Sequence, residues 1–415
     1  MEFKMNKKKP ISLYNPAFHQ NPYNSFQRLQ EDGEIHYVKF PSGVCGWLVT
    51  GYDAAIKTLK HPKIGKNHKL GNAHWRSLAA IMPEPQHTQL QSHLLHQDPP
   101  RHTALRDLVM EAFSASRVER FRERVTLIAQ RLLKPLKNAG ECDLISDFAS
   151  KLPLLVLSEV IGLSDKHRAL FKPVWCKVVQ PVGPNDKGRA EYIALLAELQ
   201  SFIDSIIDES RGGDTERLIV RLVAAYDEKR ISRDELTSML FQLLVAGQEP
   251  VTNQIGNAML ALLQHPEQLT QLREGSTRID RAITELLRYD GAFEISTWRF
   301  FPETTEWLGE TIPAGDSVIV GLNAANRDSA QFGCPHQLDF TRERNKPLSF
   351  GYDHHHCPAS SLARLELEVS IQAILAYLPN IQLACSEQEL CWINAVLARG
   401  LLTLPVKYTT GESNS

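Results

Sequence analysis

A mainly α-helical chain with small β-sheets is what this sequence predicts, and three observations carry the prediction. Apolar residues recur at helical spacing through the middle of the chain: Phe121, Val125, Ile128 and Leu132 lie on one face of a helix over 117–136. Ser232-Arg233-Asp234-Glu235 has the pattern of a capping box, with Ser at N-cap and Glu three residues on. The helix it opens is expected to run to Gln264, just before His265-Pro266. At ~1.5 Å per residue it would be about 50 Å long. The β-prone pieces, by contrast, are short and lie towards the two ends.

In chain order, the first such pieces are 35–40 and 46–50. A helix should begin at the prolines of Asp98-Pro99-Pro100, where a missing N–H is tolerated, and it puts His102 and Arg106 on one face. Helical periodicity returns over 147–161 and 190–207, punctuated by Gly183-Pro184-Asn185-Asp186 and Gly212-Gly213-Asp214. After the long helix, Glu285 and Arg288 stand three apart on another helix, close enough for an ion pair. Strands are expected at 296–301, 316–320 and 401–408, and a helix opens at Ser360.

Composition narrows the function classes. Hydrophobic residues make up 43% of 415, enough for a large core. A net charge of −2 gives no general attraction to nucleic acid or a membrane, and neither partner is expected. Seven cysteines, at 45, 142, 176, 334, 357, 385 and 391, have no regular spacing, which reads as free thiols in a reducing, cytoplasmic setting. Lys7-Lys8-Lys9 is followed by no apolar stretch of the signal-peptide kind, and no apolar run reaches the roughly 18 residues of a membrane span.

Two places carry chemistry. Cys357 ends the loop Phe350-Gly351-Tyr352-Asp353-His354-His355-His356 and precedes a helix. Unpaired N–H groups and the macrodipole at that end favour thiolate, and a thiolate is a soft metal ligand. Zinc is the poorer reading, since neighbouring residues of His354–Cys357 cannot all point at one ion and no second Cys/His pair is suitably spaced. An inert buried cysteine is the other alternative. The second place is Ala246-Gly247-Gln248-Glu249-Pro250-Val251-Thr252 within the long helix. A mid-helix glycine costs roughly 1 kcal/mol against alanine, so either a flat cofactor or a close helix crossing should account for Gly247. Pro250 lacks an N–H and clashes with the Ala246 carbonyl, which predicts a kink. Thr252 lies about 200° round the helix from Pro250.

These segments together resemble the cytochrome P-450 superfamily over about Asn21 to Val406. Phe350, Gly351, His355 and Cys357 match its Phe-Gly-x-Gly-x-His-x-Cys-x-Gly loop, with Asp353 and Ala359 at two glycine positions. Asp98-Pro99-Pro100-Arg101-His102-Thr103 with Arg106 matches a second motif. Ala246-Gly247-Gln248-Glu249 matches a third, with Pro250 where the family has threonine. Glu285 with Arg288 matches a fourth, with Arg342 as the third member of that ion-pair lock and Leu338 where the later motif has an aromatic. Arg399 to Val406 matches the C-terminal turn.

The resemblance implies the triangular fold of that family, with the long central helix over a haem. It implies an extension over 1–20, one catalytic domain over 21–408 and a tail over 409–415. It implies haem b with Cys357 as axial thiolate and metal ligand. His102, Arg106, Arg299 and His355 would hold the propionates, and Phe350, Ala246 and Gly247 would contact the cofactor. Glu249, Pro250 and Thr252 form the catalytic stretch, with Glu249 as proton relay. Leu243, Gln248, Ala292, Phe293, Ile295, Val396 and Leu397 are expected to line the substrate pocket, built from 71–95, 170–195, 243–249, 292–295 and 396–402. The implied reaction is monooxygenation of a small-to-medium molecule of bacterial secondary metabolism, a polyketide or peptide intermediate, free or bound to a carrier protein. Electrons would come from a ferredoxin with its reductase or a flavodoxin-type donor, drawn to a basic patch with Arg106, Arg117 and Arg364 as candidates, and the enzyme would be a monomer. The alternatives are coupling, cyclisation, desaturation or substrate-assisted oxidation, prompted by Pro250, and a non-catalytic haem-binding sensor.

Overall fold

Helices enclose the larger apolar core and a mixed sheet carries the smaller ones. The structure, a computed structural model, describes residues 8–410 apart from 80, 81, 173, 176, 177, 179–181, 184–186 and 215. The expected turn at Pro184-Asn185-Asp186 and Cys176 therefore lie outside the described residues. The helices around the site are numbered in chain order: α1 Gln86–Gln91, α2 Arg101–Met110, α3 Arg122–Leu133, α4 Leu152–Ile161, α5 Arg189–Glu209, α6 Arg233–Ala246, α7 Glu249–Gln264, α8 Ile279–Tyr289 and α9 Ser360–Tyr377. Among the described residues, no helix is long and apolar enough to cross a membrane.

The central element is α7. Every residue from Val251 to Leu262 is buried, because α9 and the π-helical turn Ile145–Ala149 cover it on different sides. Its buried polar side chains hold neighbouring loops. Gln254 donates to the Asp290 carbonyl (3.1 Å) and accepts from the Ala292 N–H (2.9 Å), and Asn257 donates to the Arg399 carbonyl (3.0 Å). A Cβ on Gly400 would fall 2.2 Å from Oδ1 of Asn253, so the C-terminal turn comes this close only without a side chain.

The sheet orders its strands as Ile11–Ser12, Ile35–Lys39, Cys45–Val49, Ser317–Val320 and Arg299–Phe300, with the first pair and the third pair parallel. Trp47 pairs with Val318 and Val49 with Val320. A three-stranded sheet joins Glu141–Asp143, Pro405–Lys407 and Gln382–Leu383.

Three expectations change. The long helix is two helices, α6 and α7, broken at Gly247-Gln248. The stretch 117–136 is divided into Ala115–Glu119 and α3. Residues 11–20, expected as part of an extension, are built into the fold: Ile11–Ser12 adds a strand, Asn15 caps the Pro16–Gln20 helix and Phe18 is buried. The reason is apolar, since Leu13 and Phe18 have a core to enter.

One buried network ties both chain ends together. Arg399 Nε donates to Asp290 (2.7 Å), which also accepts from the Tyr23 hydroxyl (2.6 Å), and Arg399 donates to the His19 carbonyl (2.8 Å) while lying over the Trp392 ring. Glu294 lies close by. Burial pushes its carboxyl from the ordinary 4.5 up to about 8, with Arg399 opposing and Asp290 adding to the rise. The fold thus keeps a proton that the unfolded chain releases first. Stability is full below about 4.5 and declines as the pH rises towards 8. Glu294→Gln should flatten that decline. Thermal melts at about pH 5 and about pH 8 check it, and an unchanged difference between the two would refute the assignment.

Candidate active site

The Cys loop is a tight hairpin that needs left-handed backbone. Gly351 (φ 74°) and Asp353 (φ 58°) both adopt it; aspartate tolerates it better than most side chains. The loop closes through Cys357 N–H to the Phe350 carbonyl (2.8 Å) and Gly351 N–H to the Leu348 carbonyl (2.8 Å). Ala359 has φ −94° and ψ 16°, so its methyl meets no left-handed strain. Phe350 is half-buried with Arg364 over its ring. The thiol departs from expectation: burial pushes Cys357 up to about 11, and the Ala359 N–H and Arg106 only partly offset this. Desolvation outweighs the helix terminus in the empty site, and a metal ion at Sγ would take the place of the proton.

Beside it lies a group of buried donors with no acidic partner. Both ring nitrogens of His102, Nδ1 of His355 and Nη1 of Arg106 are buried without a hydrogen bond. The His102 and His355 rings are 4.2 Å apart between centroids. Buried Arg299 donates to the Thr297 carbonyl (3.1 Å). Buried Lys66 joins the group by donating to the Thr297 hydroxyl. Burial and mutual repulsion lower the whole set: Arg299 falls to about 10 and His102 to about 4, mainly by desolvation, and Lys66 falls well below its ordinary value by burial and then Arg299. Asp98, the nearby acid, accepts from the backbone N–H groups of Lys66 (2.9 Å) and Asn67 (3.2 Å). Buried polar groups normally have partners, so donors gathered like this fit a non-protein group with carboxylates, such as the two propionates of a haem. Lys66 was not legible in the sequence, where a lysine among Lys63, Lys66 and Lys69 reads as surface.

At the α6–α7 break the backbone at Gln248 (φ −104°, ψ −63°) leaves the helical ladder, and Gln248 N–H reaches the Val245 carbonyl at 3.4 Å. Pro250 then falls in the first turn of α7, where its missing N–H has no helical partner to lose. A Cβ on Gly247 would lie 2.7 Å from a Leu157 methyl of α4; Gly247 is thus accounted for by a close helix crossing, while Ala246 is open to the cavity described next. The Thr252 hydroxyl turns away, donating to the Ala149 carbonyl (3.1 Å) or that of Gln248 (3.1 Å). Glu249 is half-buried at the start of α7.

A cavity of about 680 Å³ opens between α6, α1 and the segments 295–298 and 394–397. Of the expected pocket residues, Ile295, Val396 and Leu397 line it. The other four sit elsewhere. Leu243 packs on the large core, Gln248 donates to the Ser150 carbonyl (3.2 Å), the Ala292 backbone is bonded to Gln254 and Arg399, and Phe293 packs by the sheet. The break turned the 243–249 face, and the surviving wall comes from Phe241, Gln242, Val245 and Ala246. His87 and His93 fall within the expected segment 71–95 without being singled out there, and His68 and His96 lie just outside it. Of the candidate basic patch, Arg117 is paired with Glu111 (3.0 Å) and Glu216 (3.2 Å), and Arg364 is held by Thr284 (3.1 Å).

Glu285 and Arg288 form a two-bond ion pair (2.7 Å each) with both side chains fully buried, and Arg342 lies 3.4 Å from Glu285. Removing one member strands the other charge in the core. Arg288→Met should cost about 3–5 kcal/mol in urea unfolding; a loss below about 1 kcal/mol would contradict a structural role.

The comparisons agree with this geometry. The Cytochrome P450 family model matches residues 188–379. The cytochrome P450 monooxygenase PikC of Streptomyces venezuelae is 38% identical over 95% of this chain and 93% of its own length. The polyketide biosynthesis cytochrome P450 PksS of Bacillus subtilis (strain 168) is 33% identical over 95% and 97%. The crystal structure of myxobacterial CYP267B1 in complex with myristic acid superposes with a TM-score of 0.91 at 32% identity, covering 96% of this chain and 99% of that one. With fold, Cys loop and relatives in accord, this chain belongs to the cytochrome P450 family of haem-thiolate monooxygenases.

Proposed function

We propose that this chain holds haem b through Cys357 and hydroxylates or epoxidises a small-to-medium organic molecule of bacterial secondary metabolism, a polyketide or peptide intermediate. The observation that carries the reading is the set of buried, unpartnered nitrogens at His102, Arg106 and His355 beside half-buried Cys357. PikC and PksS, the relatives named above, support the substrate class. When bound, a haem with a thiolate ligand supplies activation of dioxygen with electrons from outside. Those electrons come from separate ferredoxin- or flavodoxin-type proteins. The chain acts as one domain.

The residues of the chain have separable tasks. Cys357 would hold the metal as a thiolate, which the Ala359 N–H and the Arg106 charge would stabilise. Arg299 and Lys66 would supply positive charge to the propionates, and His102 and His355 would donate hydrogen bonds to them. Ala246 and Val245 leave room at the cavity wall. Glu249 carries protons between solvent and the cavity, with water at the break standing in for the hydroxyl that Pro250 lacks.

The deciding test is the carbon-monoxide difference spectrum of the reduced, purified protein. A strongly red-shifted Soret band is expected; an unshifted, imidazole-like band would overturn the thiolate assignment. Glu249→Gln should lower turnover by roughly a hundredfold if it is the relay, with product formation and peroxide release followed together. Thr252→Val should leave turnover within about twofold and cost about 1 kcal/mol of stability, the worth of one buried hydrogen bond. Equal losses in the two variants would remove Glu249 from its role. Arg299→Leu should speed transfer of haem to an acceptor globin by about tenfold or more; an unchanged rate would detach Arg299 from the propionates.

A further inference from the structure

Four histidines meet on one side of the cavity: His68 of a short turn, His87 of α1, and His93 and His96 of the turn that precedes α2. The ring centroids of His68 and His96 are 4.1 Å apart, those of His93 and His96 4.7 Å, and those of His68 and His87 5.5 Å. His68 Nδ1 and His87 Nε2 share one proton at 3.2 Å. All four rings line the cavity. They are not a metal site: among the described residues no three His, Cys, Asp or Glu groups are arranged to hold an ion. We infer that this histidine wall binds the carboxylate of an acidic substrate, an inference that rests on the monooxygenase reading above and gives it a substrate class.

The argument begins with two orphaned atoms. Nδ1 of His93 and Nδ1 of His96 are sealed off with no hydrogen-bond partner. A buried N–H without an acceptor is the costlier arrangement, so the proton of each ring belongs on Nε2 and Nδ1 keeps only a lone pair. Each ring is then an N–H donor whose remaining direction is the cavity. His93 is held in place by stacking on Phe241, 6.5 Å between centroids. At His93 and His96 the wall therefore presents N–H donors, while His68 and His87 answer one nitrogen of each other.

The charges around it favour an anion. No Asp, Glu, Lys or Arg is among the described residues that line the cavity. The facing stretch of α6, Phe241 to Ala246, carries no charge, and neither do 295–298 and 394–397. Behind the rings, Lys66 acts on His68, His93 and His96; His87 stands apart, with exposed Glu84 3.6 Å from its Nδ1 and Lys69 opposing that acid more weakly. A propionate that paired with Lys66 would cancel part of this field but leave the ring donors intact. Burial and this positive surround lower His68 and His93 to about 3, so the rings are neutral when empty. A carboxylate entering the wall would gain charge-assisted hydrogen bonds. An ammonium group would meet donors at His93 and His96 and would have to turn to the facing wall, where the Gln242 Oε1 acceptor lies. A neutral ester or a carrier-bound thioester would lose the charge-assisted part.

The haem-loaded full chain can be tested with dodecanoic acid and methyl dodecanoate, with affinities from calorimetry and the haem state from the carbon-monoxide spectrum. The acid should bind about tenfold tighter or more than the ester, the range for a hydrogen bond to a charged group. His96→Phe should remove that preference, and His96→Gln, which keeps a donor, should retain much of it. If His96→Phe fails to fold, His93→Phe carries the same comparison. An ester that binds as tightly as the acid, no measurable binding of the acid, or a preference unchanged in the Phe variant would overturn the carboxylate site. A missing thiolate band would overturn the monooxygenase reading instead, so the two failures are distinguishable.

Discussion

A guanidinium sealed in a protein core must have every N–H answered, and Arg288 shows how much structure that requires. Its partners are Glu285 and the carbonyls of Asn326 (3.0 Å), Pro335 (2.8 Å) and Gln337 (2.9 Å). Glu285 in turn accepts from Asn345 (2.8 Å) and the Asp339 N–H (2.9 Å). One ion pair on α8 therefore fixes the irregular chain from 326 to 345, which has little regular structure of its own. That chain leads directly into Phe350 and the Cys loop. The position of Cys357 is inherited from a pair of charges that never touch it.

Two kinds of buried polar group stand in contrast. Arg288, Arg399 and Gln254 are answered by protein, and they hold segments together. His102, His355, His93 and His96 keep unanswered nitrogens, and they gather around the cysteine and the cavity. An unanswered buried group weakens the chain alone. A ligand that answers it adds stability through binding, in proportion to how far its concentration exceeds its dissociation constant. The two kinds separate what the fold needs to stand from what it needs a guest to complete.

What the sequence made legible followed from local backbone demands. The Cys loop, the capping box at Ser232 and the pair Glu285–Arg288 depend on neighbours a few residues away, and the local pattern carries them. The helix break did not read as a break, because Gly247 is explained by Leu157 of another helix. The roles of Lys66 and the four histidines were invisible for the same reason: their meaning lies in who faces them across the fold. Three of the seven named pocket side chains line the cavity and four do not, since contacts with residues distant in sequence decide which way each one faces.

That break also changes what Pro250 is. Within a continuous helix, proline is damage of roughly 3 kcal/mol. In the first turn of α7 it sits where its fixed φ already suits the chain. Proline there restricts the unfolded ensemble and loses nothing in the folded one, a gain of about 0.4–1 kcal/mol. The residue that removes a hydroxyl from beside the active site is at the same time a stabiliser of the helix on which the whole interior packs, acting through chain entropy in a state where no site exists.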